Sequence, residues 1–359
     1  MRKHSLQFIK LICITLSLGV ILFACKNRVN TNNDCGEMPT TTLIYSKVDK
    51  NHLFEDITLV GHVNPNVIAL IAVDSLLFAT NTNLPELFSI YNINGDSITS
   101  LGKYGWEKNE FTTNIPNGQK FNDNQEFGLW IIDINNATLK RLNLSESLKK
   151  KATIVDSIVA IHPMVKNAFI HNNAIIEEKR GLSRYNLQIS SVDDYTIILK
   201  APLFKPELYR LGNEEIFNCR MRLSPSGNNL VMAMQDLNEI SIIDINSRKR
   251  TEVSILSSDD TPDIIDTKTG QPVWLYYCDL ELTDKYILAL HYNSPFSDVL
   301  KQKPHNSTLH IFDYEGNLIG VLPMKHPIFS ITYSDNKKML YALDLDKNLY
   351  KYSFPKSIN

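Results

Sequence analysis

The sequence predicts an all-β fold, a six-bladed β-propeller of four-stranded antiparallel blades, and three observations predict it. The first is a recurring phrase: an apolar run, an Asp, a turn-forming stretch and a second apolar segment. It is clearest in GLWIIDINNATLKRL (Gly128 to Leu142), EISIIDINSRKRTEV (Glu239 to Val253) and LHIFDYEGNLIGVL (Leu309 to Leu322). Weaker copies are LFSIYNINGDSITSL from Leu87, SRYNLQISSVDDYTIIL from Ser183 and NLYKYSF from Asn348. The second is spacing. With the Asp column as register, Asn92, Asp133, Gln188, Asp244, Asp313 and Ser353 mark six copies, separated by 40 to 69 residues. Four-stranded blades repeat at roughly 40 to 50 residues, and the excess reads as loop insertion. The third is composition: Val, Ile, Thr, Tyr and Phe dominate the apolar runs, which alternate at nearly period two.

The chain opens with MRKHSLQFIK, which carries Arg2, Lys3 and Lys10 and no acid, followed by a mostly apolar run of 14 residues from Leu11 to Ala24. A spanning helix needs about 20 apolar residues, so this run reads as a secretory signal. It ends in Leu22-Phe23-Ala24-Cys25, which resembles the bacterial lipobox, a small residue before the cut and a cysteine after it. The resemblance implies that Cys25 becomes the acylated N-terminus and holds the protein on a lipid bilayer. Several acyl chains suffice for that, at about 0.8 kcal/mol per buried methylene.

Residues 1–24 are therefore expected to be a signal peptide, 25–42 the lipidated Cys25 and a flexible polar tether, and 43–359 the propeller. Cleavage after Ala24 removes three of the 37 basic residues and none of the 39 acidic ones, moving the net charge from −2 to about −5. No basic stripe is visible, which argues against a nucleic-acid partner. Cys25, Cys35, Cys219 and Cys278 remain, too sparse for a disulfide scaffold. Cys219 and Cys278 occupy like positions of successive repeats, and are expected to be free thiols.

Upstream of each phrase lies another strand-like run: SLLFAT from Ser75, NAIIEE from Asn173, NLVMAM from Asn229, YILALHY from Tyr286 and MLYALD from Met339. Before some of these stands a third run, closed by Ser-Pro-Ser-Gly or Ser-Asp-Asn-Lys, residues that make tight turns. The unit is strand, turn, strand, short loop, strand, turn, strand. Such a twisted sheet has two partly apolar faces, and ring closure buries both. Only KPELYRLGNEE (Lys205 to Glu215) and SESLKKK (Ser145 to Lys151) look helical.

NGDSITSLGKYGWEKNEF (Asn94 to Phe111) is similar to the NHL-type phrase, in which a Gly-x-x-Gly turn precedes a Glu-Phe pair opening the next blade; Gly102, Gly105, Glu110 and Phe111 match. SPSGNNLVMA (Ser224 to Ala233) resembles the Ser-Pro-Asp-Gly turn of TolB-type blades, with Ser226 in place of Asp. Over residues 43 to 356 the chain resembles the TolB-like, six-bladed propeller lipoproteins of the Bacteroidota. That resemblance implies blade geometry and an envelope address, and no particular ligand; the residues just after Cys25 are not an acidic run, which favours an outer-membrane protein facing the periplasm over one displayed at the cell surface.

Candidate chemistry begins on the innermost strands. Arg220 and Arg222 alternate with apolar residues, as do Asp279 and Glu281 in the next blade, so each pair shares a strand face near the axis. They form either inter-blade ion pairs or a charged channel able to hold an anionic or zwitterionic group. Asp259, Asp260, Asp263 and Asp266 cluster in a long loop and are weak calcium candidates, the spacing not being that of an EF-hand. His62, His162 and His326 each lie shortly before an inner strand and are weak zinc candidates. Trp106, Trp130 and Trp274 read as blade packing. No Gly-x-Ser-x-Gly elbow appears.

The expectation is a non-catalytic binding module on the envelope, with no cofactor. It would meet a protein or envelope-derived ligand through inter-blade loops, above all Ser257 to Val273 and Tyr292 to Ser307. The alternatives are a calcium-dependent hydrolase or lyase in the channel, and a structural subunit of an envelope complex.

Overall fold

The computed structural model describes residues 38–45, 52–82, 85–123, 125–179, 186–204, 218–255, 274–301, 307–356 and 358. Two strands precede the blades, β1 (Thr40–Tyr45) and β2 (Asp56–His62). Blade one comprises β3 (Val67–Val73), β4 (Leu76–Asn81), β5 (Glu86–Asn92) and β6 (Ser97–Tyr104), with the short β7 (Glu110–Phe111) at its rim. Blade two is β8 (Ile115–Asp123), β9 (Glu126–Asp133), β10 (Thr138–Asn143) and β11 (Val155–Ala160). Blade three is β12 (Val165–His171), β13 (Ala174–Lys179), β14 (Leu187–Ser191) and β15 (Ile197–Ala201). Blade four is β16 (Cys219–Leu223), β17 (Asn229–Met234), β18 (Glu239–Asp244) and β19 (Lys249–Ile255). Blade five is β20 (Trp274–Leu282), β21 (Ile287–Pro295), β22 (Thr308–Phe312) and β23 (Leu318–Pro323). Blade six is β24 (Ile328–Ser334), β25 (Met339–Asp344) and β26 (Asn348–Ser353), completed from the other end of the chain by β2.

This last pairing closes the ring. β2 lies antiparallel to β26 with Ile57 opposite Tyr352 and Leu59 opposite Tyr350, so the last blade is built from both ends of the propeller sequence. Closure satisfies an edge that would otherwise expose a row of unpaired backbone donors and acceptors. The core lies between the blades. Val231, Ala233, Ile240 and Ile242 of blade four face Tyr277, Leu280 and Ala289 of blade five, for example, in one contiguous buried cluster. The six-bladed, four-stranded expectation is met, and all five upstream runs are second strands.

The register of the recurring phrase differs from the expectation in three of its copies. Asn92, Asp244 and Asp313 do occupy one position, the corner between third and fourth strands. There the side chain accepts backbone N–H groups, from Asn94 and Asp96 at Asn92, from Ser247 at Asp244 and from Asn317 at Asp313. Asp133 instead ends the second strand of its blade, Gln188 sits within the third strand β14, and Ser353 ends β26 without such a corner. Asp344 shows the physical reason: ending the second strand of blade six, it accepts from Asn348 N at 2.8 Å. Both hairpins need a carboxylate or amide acceptor at their corner, so both write an apolar run followed by Asp.

Three residues assigned to the tether are in a strand instead. Thr40, Thr41 and Thr42 belong to β1, which adds to the outer edge of blade four, parallel to β19, with Arg250 N donating to Pro39 O at 2.9 Å. β-Branched threonines favour the extended chain, and the edge of β19 offers the donors and acceptors. Of the two helical stretches, Lys205 to Glu215 lies outside the described residues. The other is α1 (Leu144–Lys150), whose N-cap Asn143 accepts from Glu146 N. A short α2 (Phe296–Leu300), not foreseen, follows β21.

Candidate functional site

The first strand of every blade runs the same way along the axis, so the six strand ends and the turns after them converge on one mouth. They enclose a cavity of ≈ 260 Å³ to which all six blades contribute, for example Val73, Lys120, His171, Arg222, Glu281 and Ser334. This mouth lies at the end of the ring opposite the connections that enter each inner strand. Of the loops expected to bind, Ser257 to Val273 lies outside the described residues, as do residues 302–306 of the other; the described part of Tyr292 to Ser307 joins β21 to β22 at that opposite face.

Blade two supplies the floor. Along β8, Pro116 pairs with Ile131 and Lys120 with Leu129, so four steps of β8 answer to two of β9 and the strand bulges toward the axis. The bulge is held by side chains that replace a strand edge: Asn117 Nδ2 donates to Ala168 O at 2.6 Å, Gln119 Nε2 donates to Ile170 O, and Ile170 N donates back to Gln119 Oε1 at 3.0 Å. Gly118 has a φ of +79°, and a Cβ there would fall on the Arg222 guanidinium, so only glycine admits that side chain across from blade four. Lys120 then reaches across the axis to blade five, its Nζ 2.7 Å from Glu281 Oε1.

All four predicted channel residues stand on inner strands, Arg220 and Arg222 on β16 and Asp279 and Glu281 on β20. Arg222 and Glu281 line the cavity. Arg220 lies further back along β16 and donates from Nε to Cys278 O at 2.8 Å. Asp279 is bound by the backbone, accepting from Leu280 N at 2.9 Å and from Ile331 N at 2.8 Å. Its remaining tie to Arg222 is loose, with Nη2 3.9 Å from Oδ1. Burial holds the Glu281 carboxyl above its usual range, an effect opposed by Lys120. Burial likewise disfavours the charge on Arg222, with Asp279 and Glu281 opposing. Lys120, Gly118 and Ser334 were not foreseen. The available signal was Pro116-Asn117-Gly118, a turn sequence inside what must be an inner strand.

The other candidates separate. Asp259, Asp260, Asp263 and Asp266 lie outside the described residues, as does Cys25. His62 ends β2 at the rim of blade six, His162 donates from its backbone N to Glu177 Oε1, and His326 stacks on Tyr350 with ring centroids 4.1 Å apart. Among the described residues no three His, Cys, Asp or Glu side chains gather as a metal site. Cys219 and Cys278 are free and buried, and burial raises both thiols above their ordinary range. Trp130 is buried, whereas Trp106 is 71% exposed on the turn between β6 and β7, contrary to the packing role expected of it. That turn is held instead by Glu110 Oε2 accepting from Glu107 N, and Phe111 packs with Phe88 and Leu101 in the core below.

A family model described as TolB-like 6-blade propeller-like matches residues 68–336. Among solved structures, a member of the duf4221 family from Bacteroides vulgatus superposes with a TM-score of 0.56 at 11% identity, covering 86% of this chain and 99% of its own. A protein of Bacteroides fragilis described as exported superposes with a TM-score of 0.53 at 11% identity, covering 88% of this chain and 100% of its own. At such identity these likenesses concern the fold. No match was found among curated proteins.

Proposed function

Because the chain belongs to the TolB-like six-bladed propeller family, we propose that it is a lipid-anchored, non-catalytic binding module of the bacterial envelope. The axial cavity carries the reading. It is a concave site on a ring, with contributions from all six blades, and the ionised groups on its floor are tied to one another and to backbone. The exported Bacteroides fragilis neighbour supports an address beyond the cytoplasm. The lipobox-like Leu22 to Cys25 supports the anchor, and in this reading the propeller faces the periplasm from the outer membrane.

Acyl-chain labelling of the wild type and of Cys25→Ser, followed by membrane fractionation, tests the anchor. Label and membrane association are lost together in the variant if Cys25 carries the lipid. Unchanged fractionation of Cys25→Ser ends that reading. A second measurement addresses the metal-dependent alternative: a melting temperature lowered several degrees by EDTA and restored by calcium would replace the binding module with an enzyme.

A further inference from the structure

We propose that the axial cavity binds a compact oxyanion, a carboxylate or phosphate group, seated between Lys120 and Arg222 with Ser334 at its side. The inference rests on the binding-module reading and names the ligand chemistry of that module. The floor is formally neutral, with two cations and two carboxylates, yet the four are not equally reachable. The side chains of Lys120 and Arg222 are 25% and 18% accessible, against 5% for Glu281 and 11% for Asp279. Of the four floor residues, the two cations are the more reachable.

The donors are also underused. Arg222 offers a five-donor fork. Nη1 donates to Met221 O at 3.1 Å, Nη2 faces Asp279 only at 3.9 Å, and Nε has no hydrogen-bond partner. Asp279 accepts instead from two backbone donors, Leu280 N and Ile331 N, one on each oxygen. Ser334, 2% exposed and lining the same cavity, has an Oγ with no partner at all. Of the buried polar atoms without a partner, these two belong to residues of one small cavity, where an oxyanion would supply the missing acceptor. Carboxylates also stand at the mouth, but Asp74 is engaged by Asn336 Nδ2 at 2.7 Å and by Ser75 Oγ at 3.0 Å. Asp335 also lies at the mouth, on the turn after β24.

Glu281 is the internal competitor for Lys120, so the proposal predicts effects of opposite sign from the two partners of one ion pair. The full-length protein, in neutral detergent, is titrated with inorganic phosphate, acetate and glycerol phosphate by calorimetry, and floated with phosphatidylglycerol or phosphatidylcholine vesicles. Binding of the free anions alone assigns a soluble ligand, and preferential flotation with phosphatidylglycerol assigns a headgroup. Lys120→Gln weakens whichever binding is seen by about tenfold or more, the scale of one charge-assisted hydrogen bond. Glu281→Gln strengthens it, and Lys149→Gln on the distant α1 leaves it unchanged. Arg222→Gln weakens it similarly; should that variant fail to fold, the Lys120 and Glu281 variants decide alone. No binding of any probe, or equal binding by wild type, Lys120→Gln and Glu281→Gln, overturns the site. If that happens while the protein remains lipid-anchored through Cys25, the binding-module reading stands without it.

Discussion

Lys120 Nζ lies 2.7 Å from Glu281 Oε1, although the two residues belong to blades two and five, opposite one another across the axis. The pair ties two blades that are not neighbours in the ring, and both its members line the cavity. Removing one partner of a buried pair leaves the other charge unpaired, which costs about 3 to 5 kcal/mol when burial is complete and less here, where Lys120 is partly wet. Lys120→Met is therefore expected to destabilise by about 2 kcal/mol and Glu281→Gln by less, since an amide still meets Thr332 Oγ1. Urea unfolding of both singles and the double variant gives the coupling energy. A coupling under about 0.5 kcal/mol would mean that the cross-axis contact contributes nothing to holding the ring.

A second buried pair has a different task. Asp133 and Lys140 are 0% and 3% accessible at side-chain level, with Nζ 3.0 Å from Oδ2. Asp133 also accepts from Thr112 N, Thr113 N and Asn136 Nδ2, and Lys140 donates to Glu110 O, so the pair pins the crossing from blade one to blade two. Asp133→Ala strands the ammonium and orphans two backbone donors, and a loss of about 3 to 5 kcal/mol is expected. Adding Lys140→Met should recover part of that loss. Chemical denaturation of the three variants checks it, and a double variant no more stable than Asp133→Ala would refute the account.

These two pairs also show what was legible in the sequence and what was not. Blade number follows from the recurring phrase and its spacing, and the inner-strand placement of Arg220, Arg222, Asp279 and Glu281 from their alternation with apolar residues. The phrase around Asp133 misled, since both corners of a blade call for the same acceptor. Lys120 was hidden for a deeper reason: its partner is more than 150 residues away in the chain, and only the bulge at Pro116 to Gln119 brings it to the axis. Period-two patterning carries no information about contacts across a ring. The earlier start of the folded chain, at Met38 and Thr40, was missed because a Thr-rich stretch reads as polar tether until an open strand edge is available to it.

Ring closure and edge addition make separable predictions. Thr58 of β2 pairs with Lys351 inside blade six, whereas Thr41 of β1 pairs with Thr251 outside the four strands of blade four. Proline removes a backbone donor and a ladder bond in either strand. Thr58→Pro is expected to cost about 3 kcal/mol and to lower cooperativity, because the opened ring exposes both edges of the joint. Thr41→Pro should cost clearly less. Thermal melts of the two variants compare them directly, and an equal loss would show that β1 is part of the closed ring's stability rather than an addition to it.

His291 and His310 are stacked in blade five with ring centroids 4.2 Å apart, both buried. His310 Nδ1 meets Tyr277 OH at 3.2 Å and its Nε2 meets Thr308 Oγ1 at 3.2 Å, while His291 Nε2 meets Asn238 Oδ1 at 3.1 Å. Burial lowers His310 to about 3 and pushes His291 well below the ordinary histidine value of 6.5. Below pH 6.5 the unfolded chain binds these protons and the folded one does not. The contribution of the pair is therefore complete above pH 6.5 and is lost as pH falls toward 3, at about 1.4 kcal/mol per pH unit for each proton taken up. Asp236 works in the opposite direction. Burial raises its carboxyl to about 7, so the folded state holds that proton while the unfolded one releases it, and stability falls as pH rises from about 4 to 7. The net profile of the wild type is the difference of these slopes, which single variants resolve. His310→Gln should flatten the acid-side fall in melting temperature between pH 6.5 and 4, and Asp236→Asn should steepen it. Melting profiles of the two variants that stay parallel to the wild type across that range would disprove the assignment.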